Sequence, residues 1–283
     1  MKKTALLVLF LLLVNFLVWY AVFCEDRGGI LTVAFLDVGQ GDAIFIDAPN
    51  GNQILLDGGP DRKVLTALGR VMPFYDRSID LLVASHPDAD HIGGLVDVLE
   101  RFRVGAILEP ELEPETQVYQ RLAALVSQKG VELINPLRGT RVDLGSGIFL
   151  EILSPDRSPL GWDPNDASLV ARLVDGPTSF LLTGDAPAKI ERYLASLDGN
   201  RLHSDVLKAS HHGSRTSTAE EFLGAVRPKY VVISVGANNR YGHPHSEVLD
   251  RLAQFDTEIL QTSESGDIIF ESDGQGLRSV ASP

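Results

Sequence analysis

The chain of 283 residues has one cysteine, Cys24, so no internal disulfide can form. It also lacks an excess of positive charge: 25 Lys and Arg against 38 Asp and Glu leave it at −13 near neutral pH. Lys2 and Lys3 are the only charged residues before Glu25, so the remainder carries 23 basic against 38 acidic side chains. Broad adhesion to a polyphosphate surface needs many Lys and Arg contacts and is disfavoured. An acidic chain keeps the capacity to bind cations. No repeat of about 20 to 50 residues is present. Beyond one stretch near the amino terminus there is no long apolar run, which excludes a multi-helix channel.

What is present suits one domain with a substantial core, since 44% of residues are apolar. Residues 5–24 are about twenty positions interrupted only by Asn15, long enough to cross a hydrocarbon core of about 30 Å. Basic residues before this run and Glu25-Asp26 after it predict a cytoplasmic amino terminus with the bulk of the chain outside. A cleaved signal peptide ends in small residues, whereas Trp19, Tyr20 and Phe23 crowd this end, and Phe23 before Cys24 fits a lipoprotein processing site poorly. The expected organisation is an uncleaved transmembrane anchor over 1–24, a linker over 25–30 with Arg27-Gly28-Gly29, one domain over 31–271 and a loose tail over 272–283. A secreted form is the alternative.

Strands are expected at 31–38, 43–46 and 53–56, a meander turned at Gly39-Gln40-Gly41-Asp42 and Asn50-Gly51, followed by a helix over 63–71. The apolar run 81–84 reads as a strand buried on both faces, and helical spacing opens at Gly93-Gly94. A strand at 104–108 and a helix at 115–129 complete the first half. The second half follows a similar outline: a hairpin over 140–144 and 148–153, a long loop over 154–165, strands at 168–174, 179–182, 205–209 and 230–235, and helices at 187–197, 218–226 and 246–255. Short strands at 258–260 and 267–270 close an α/β fold.

Four strand ends carry polar groups. His86, Asp88, Asp90 and His91 put four candidate metal ligands within six residues after the 81–84 run; Asp185 follows Thr183-Gly184; His211-His212 follow 205–209; His243 and His245 flank Pro244. A capping acid or a solvated histidine explains any one of these, but not the set. Six of the seven histidines fall in these segments, with only His203 elsewhere, whereas surface histidines would scatter. In open α/β sheets ligands gather beyond the carboxyl ends of strands, so the four segments can converge on one crevice. A tight turn can send His86 and Asp88 to one side and Asp90 with His91 to another, so that one segment serves two neighbouring cations.

The segments Phe35-Leu36-Asp37-Val38-Gly39-Gln40-Gly41-Asp42, Ser85-His86-Pro87-Asp88-Ala89-Asp90-His91, Leu182-Thr183-Gly184-Asp185, Leu207-Lys208-Ala209-Ser210-His211-His212-Gly213-Ser214 and Tyr241-Gly242-His243-Pro244 resemble the metallo-β-lactamase superfamily and, within it, the carboxyl-terminal hydrolase domain of the ComEC competence proteins. The similarity spans about residues 31–270. It implies an αβ/βα four-layer sandwich with a dinuclear metal centre in a cleft at one edge, here preceded by a single transmembrane helix. The resemblance implies His86 and Asp88 on one metal, Asp90 and His91 on the other, Asp185 bridging both, and one of two adjacent histidines completing the set. His212, beside Gly213, aligns better than His211. The superfamily's commoner first motif has a histidine where this chain has Asp88, and its middle histidine ligand has no clear counterpart; Asn165 stands roughly there. One site is thereby richer in oxygen, so Mn²⁺ stands beside Zn²⁺ for the two divalent ions implied.

The chemistry implied is hydrolysis of a phosphodiester, with paired cations neutralising the substrate and stabilising charge that moves to the leaving group. Asp90, His211 and His243 are the candidate catalytic groups, a histidine outside the metal shell protonating the leaving oxygen. Asn165, Ser168, Ser214 and Thr216 are candidate substrate contacts. Asp37 and Asp57 are expected to orient ligands or fix turns, and Asp42 to cap the 39–41 turn. The expected activity is a phosphodiesterase or nuclease outside the cytoplasmic membrane, held there by the amino-terminal helix and processing DNA for uptake beside a separate channel protein. The alternatives are a phosphocholine-type wall-polymer phosphodiester, favoured by the acidic balance; lactone or β-lactam hydrolysis, disfavoured by Asp88 and the missing cysteine; and a non-catalytic competence scaffold.

Overall fold

The computed structural model describes residues 2–25 and 27–280, without the side chains of 2 and 20–25. Met1, Asp26 and 281–283 lie outside the described residues. In chain order the elements are α1 (Lys2–Glu25), β1 (Leu31–Phe35), β2 (Ile44–Asp47), β3 (Gln53–Leu56), α2 (Lys63–Val71), β4 (Ser78–Val83), α3 (Ala89–Arg101), β5 (Arg103–Leu108), α4 (Gln117–Lys129), β6 (Glu132–Ile134), β7 (Arg141–Gly145), β8 (Ile148–Ser154), β9 (Val170–Asp175), β10 (Thr178–Leu182), α5 (Ala188–Asp198), β11 (Val206–Lys208), α6 (Glu220–Val226), β12 (Tyr230–Ile233), α7 (Ser246–Leu252), β13 (Glu258–Gln261), α8 (Thr262–Ser265), β14 (Ile268–Ser272) and β15 (Leu277–Val280).

The strands form two sheets, ordered β15-β14-β1-β2-β3-β4-β5-β6 and β13-β12-β11-β10-β9-β8-β7. In each, an antiparallel meander passes into a parallel run, β3 to β6 in the first and β10 to β13 in the second. A parallel run puts its carboxyl ends at one edge, and the ligand-bearing segments follow β4, β10 and β11.

Strand periodicity sends alternate residues to opposite faces, so each sheet has two apolar faces and needs two covers. Leu31, Val33 and Phe35 of β1 face the other sheet, while Ala34 faces the helices. Between the sheets Phe270 meets the rings of Phe35 and Phe180 at 6.0 Å and that of Tyr230 at 5.2 Å. Phe45, Leu55, Leu82 and Ile107 on the outer face of the first sheet are covered by Leu68 of α2, Leu95 of α3 and Leu122 of α4. Leu181, Leu207 and Val231 on the second are covered by Leu194 of α5, Phe222 of α6 and Val248 of α7. The result is the expected helix, sheet, sheet, helix sandwich.

Three local expectations are corrected. Helix α3 begins at Ala89, four residues before the glycine pair; Asp88 is its extended N-cap residue, and the Asp88 side chain makes no capping bond. Asp90 and His91 therefore lie in the first turn, where the helix dipole favours an acid. Gly94 serves close approach instead: a Cβ there would sit 2.0 Å from the carbonyl oxygen of Gly58. That contact lets Gly58 N donate to His91 O at 2.7 Å and Gly94 N to Gly59 O at 2.9 Å, tying the loop after β3 to the turn that carries Asp90 and His91. The stretch from Ser272, expected as a loose tail, turns on the Asp273 carboxylate, which accepts from Gln275 N and Gly276 N at 2.9 Å each, and returns as β15 against β14. Edge strand β6 was not expected, because its three residues are mostly exposed.

Residues 5–24, the expected anchor, are helical throughout, and Leu6 to Leu13, Phe16, Leu17 and Trp19 are exposed. Among the described residues no helix is long and apolar enough to cross a membrane.

Candidate metal centre

His86 sits at the end of β4, fully buried. Its Nδ1 is 3.0 Å from Ser85 Oγ, and that hydroxyl gives its one proton to Asp57 Oδ2 at 2.7 Å. The serine therefore accepts, and the proton on His86 is held at Nδ1. His91 Nδ1 donates to the same Asp57 oxygen at 2.8 Å, and His212 Nδ1 donates to the carbonyl of Ser234 at 3.0 Å. Three buried rings are thus oriented by outer partners so that Nε2 of each faces inward, as metal-ligating histidines are commonly held.

Asp185 is where they meet. It follows β10 after Gly184, whose φ of +50° and 3.0 Å approach to Ser85 would strain any side chain there. Asp185 carboxylate oxygens lie 3.3 Å from His91 Nε2, 3.6 Å from His212 Nε2, 3.7 Å from His211 Nε2 and 4.0 Å from His86 Nε2. Asp90 lies 3.5 Å from His212 Nε2, and Asp88 lies 3.6 Å from His86 Nε2. The triads His86-His91-Asp185, Asp90-His91-His212 and Asp42-Asp185-His212 each bring one donor atom per residue within 4.8 Å of one another. Nε2 of His86, His91 and His212 and Oδ1 of Asp185 are buried with no hydrogen-bond partner. An unsatisfied buried polar atom costs about 1–3 kcal/mol, so four converging on one point fit a site built for cations.

The adjacent histidines differ. Both hold left-handed backbone, with φ of 51° and 56°, a conformation costing about 1 kcal/mol or more for an L-residue and met most often at functional sites. His212 is buried and belongs to two triads, whereas His211 stays partly exposed, with Nδ1 3.3 Å from Thr216 Oγ1. His243 is farther out: its ring stacks on Tyr241 at 5.6 Å and lies 5.8 Å from that of His211.

Charge in the cluster is tightly balanced. Burial works against ionisation of Asp185, yet His212, His91 and Lys208 hold its carboxyl well below the usual range. Burial likewise opposes the charge on Asp90, and its contact with His212 brings it down to about 2. Burial would lower His212, but Asp185 and Asp42 push it up to about 9; His91 is raised by Asp185 and Asp57 against the same burial. Metal binding at these two rings must therefore displace a proton. His211 and His243 go the other way: burial lowers both, His243 to about 4, and neighbouring imidazoles add to the effect.

Two residues at the centre were missed or misread. Asp42 does not cap the 39–41 turn; it is fully buried and ion-paired with Lys208, 3.5 Å from His212 Nδ1. Lys208 had no expected role, yet it is wholly buried, donates to Gly184 O at 2.8 Å and lies 3.6 Å from Asp185. The signal was a lone lysine inside an apolar strand. Asp57 orients the His91 ring, and Asp37 fixes its turn by accepting from Gly39 N at 3.0 Å. Ser168 is not free for substrate: it is buried, and its Oγ accepts from Asp185 N at 3.3 Å. Ser214 Oγ is 3.0 Å from Thr216 Oγ1, extending the chain that begins at His211. Asn165 keeps a buried Oδ1 with no hydrogen-bond partner.

The family described as the Metallo-beta-lactamase superfamily matches residues 36–237. ComE operon protein 3 of Bacillus subtilis is 31% identical over 83% of this chain and 32% of its own length. Competence protein ComA of Neisseria gonorrhoeae is 32% identical over 84% of this chain and 32% of its own. The chain thus spans about a third of the length of these curated relatives. Among solved structures, Igni18, a metallo hydrolase from the archaeon Ignicoccus hospitalis, is similar with a TM-score of 0.54 at 16% identity, over 85% of this chain and 98% of that one, a likeness of fold. The resemblance carried by the sequence motifs is borne out, and the chain belongs to the metallo-β-lactamase superfamily.

Proposed function

We propose that this chain is a metal-dependent phosphodiesterase of the nuclease type, acting on DNA outside the cytoplasmic membrane, tethered by the apolar run of residues 5–24, of which 20–24 have side chains outside the described ones, and working beside a separate channel protein. The observation that carries the reading is the convergence of buried, unpartnered Nε2 atoms of His86, His91 and His212 on Asp185. His86, Asp88 and Asp185 would hold one divalent ion, and Asp90, His91, His212 and Asp185 a second. Mixed imidazole and carboxylate donors suit Zn²⁺ or Mn²⁺. When bound, such ions supply Lewis-acid stabilisation of phosphate and leaving-group oxygens.

The chain's own groups do the rest. Asp57, Ser85 and the Ser234 carbonyl hold the three rings, and Lys208 balances Asp42 and Asp185 from behind. His211 and His243 rest neutral at pH 7, and nearby cations lower them further. A neutral imidazole here would take a proton from attacking water and then hand it to the leaving oxygen, the acid role expected from the sequence. His211 is the nearer, with Nε2 3.7 Å from Asp185 and Nδ1 leading through Thr216 to Ser214.

The relative named as a competence protein favours DNA as substrate. The net charge of −13 keeps a wall-polymer phosphodiester as the second reading. The full chain in detergent, loaded with Mn²⁺ or Zn²⁺, is expected to hydrolyse bis(p-nitrophenyl) phosphate and single-stranded DNA; no turnover of either removes the phosphodiesterase reading. Alkaline extraction is expected to leave the chain in the membrane fraction, and release into the supernatant would count against the tether.

A further inference from the structure

The edge of the sandwich opposite the candidate metal centre carries a surface that the fold leaves uncovered. Strands β4 and β5 begin side by side there, Ser78 beside Arg103, and β1, β2 and β3 meet the same edge through Thr32, Asp47 and Gln53, which follow one another across the ladder. Between α2 and β4 the chain turns at this edge. Asp76 N donates to Pro73 O at 3.0 Å, closing a turn with Phe74 and Tyr75 at its tip. Phe74 is 85% exposed, more than any other large apolar side chain among the described residues, those of α1 included, and its ring meets that of Tyr75 edge-on at 5.4 Å.

Beside the rings lies a groove of about 480 Å³ whose lining includes Arg27, Asp47, Tyr75, Asp76, Arg77 and Arg103. Its acids are engaged by the fold: Asp47 accepts from Arg27 at 2.8 and 2.9 Å, and Asp76 accepts from Gln53 Nε2 at 2.9 Å and from Ser78 N at 3.0 Å. Arg77 and Arg103 are exposed, and among the described residues neither has a carboxylate partner. The linker says what covers this surface. Arg27 stands two positions after the end of α1, a reach of at most about 7 Å, and its ion pair with Asp47 fixes the entry of the chain at this edge. A bilayer that holds α1 therefore lies against the same edge, where exposed rings suit the headgroup level and arginines suit lipid phosphates.

Resting on the reading that residues 5–24 tether the chain, we infer that this edge docks on the bilayer, with Phe74 and Tyr75 among the headgroups and Arg77 and Arg103 on the phosphates of anionic phospholipids. The domain is then held upright. Strand β4 runs from the docked edge for six residues, about 20 Å, before it reaches the ligand-bearing turn, so the cleft opens away from the lipid and takes its substrate from the aqueous side.

Trp19 and Trp162 are the two tryptophans of the chain, so tryptophan emission can be moved to one site at a time. The full chain carrying Trp19→Phe, Trp162→Phe and Phe74→Trp is reconstituted into vesicles of phosphatidylcholine and phosphatidylglycerol whose acyl chains bear bromine near the headgroup. It is expected to lose at least about half of its emission relative to unbrominated vesicles. The chain with Trp19→Phe alone reports Trp162, which shares a groove with Pro87 of the ligand-bearing turn, and is expected to lose little. Arg77→Gln and Arg103→Gln are each expected to lower the ratio of docked to undocked chain about fivefold, and so to reduce the quenching, while the chain still floats with the vesicles. A floating Phe74→Trp chain without quenching would overturn the docking and leave the tether standing. A blue-shifted emission without quenching, together with the mass of a dimer, would assign the surface to a second copy and overturn it as well. A chain that stays out of the vesicle fraction would remove the tether, and the docking with it.

Discussion

Replacing Lys208 by Met tests the charge balance behind the centre. The side chain is fully buried, donates to Gly184 O at 2.8 Å, pairs with the equally buried Asp42 and lies 3.6 Å from Asp185. Methionine keeps most of the volume but leaves the Asp42 carboxylate without its counter-ion and the Gly184 carbonyl without its donor. Breaking one partner of a buried pair costs about 3–5 kcal/mol, a large share of a domain stability of about 5–15 kcal/mol. For a domain of this size that corresponds to a fall in Tm of roughly 10 °C. Lys208→Met combined with Asp42→Asn removes both charges and is expected to recover at least about 1.5 kcal/mol of the loss, a coupling that two contacting residues show and distant ones do not. Urea denaturation of the four proteins, metal-free and metal-loaded, measures this cycle. The loaded Lys208→Met protein should lose less, because bound cations replace part of the missing positive charge. Strictly additive losses, or a single-variant change within about 0.5 kcal/mol, would refute the reasoning.

Asp185→Asn keeps the shape of the residue on which four imidazoles converge and removes its charge; metal affinity measured by titration calorimetry is expected to fall at least about 100-fold, and unaltered occupancy would contradict the shared-ligand role. His212 has a folded pKa of about 9 against an ordinary value of 6.5, so its contribution to stability is complete below about pH 6.5 and lost as pH rises through 9. The Tm of metal-free protein should therefore fall across that window, and a flat or rising Tm would speak against the protonated imidazole. Gly94→Ala places a Cβ 2.0 Å from Gly58 O and forces α3 away from the loop after β3. It should cost about 1–3 kcal/mol in urea denaturation and weaken metal binding through Asp90 and His91, and an effect below about 0.5 kcal/mol would show that the contact yields easily.

Much of this architecture was legible because periodicity reports burial directly. The meander over β1 to β3, helix α2 and the later strand pairs have alternating or continuous apolar patterns that fix their type. Elements that bury little left weaker traces: β6 and β15 are edge strands with mostly exposed side chains, and the turn at Asp273 is set by a hydrogen-bonded carboxylate, which hydrophobicity does not register. Helix α3 was read as starting at its glycines because Asp90 and His91 look like loop residues. Their polarity serves the buried contacts with Asp185 and His212, and the backbone there is already helical.

At the site, donor types and clustering were readable because histidine and aspartate are rarely gathered by chance at successive strand ends. The choice between His211 and His212 was not, since it depends on which ring reaches the Ser234 carbonyl after two residues of left-handed backbone. Nor was the partnership of Asp42 with Lys208. The two lie 166 positions apart in the sequence and meet only when β11 comes to stand behind the turn after β1.

Counting metal is the most direct trial of the account: the purified chain is reconstituted with Zn²⁺ or Mn²⁺, freed of excess ion and analysed by mass spectrometry of the elements. Imidazoles and carboxylates from separate strand ends sharing a pair of cations predict about two ions per chain in the wild type, with a clear loss in His91→Ala. Fewer than about one ion per chain after reconstitution would contradict it.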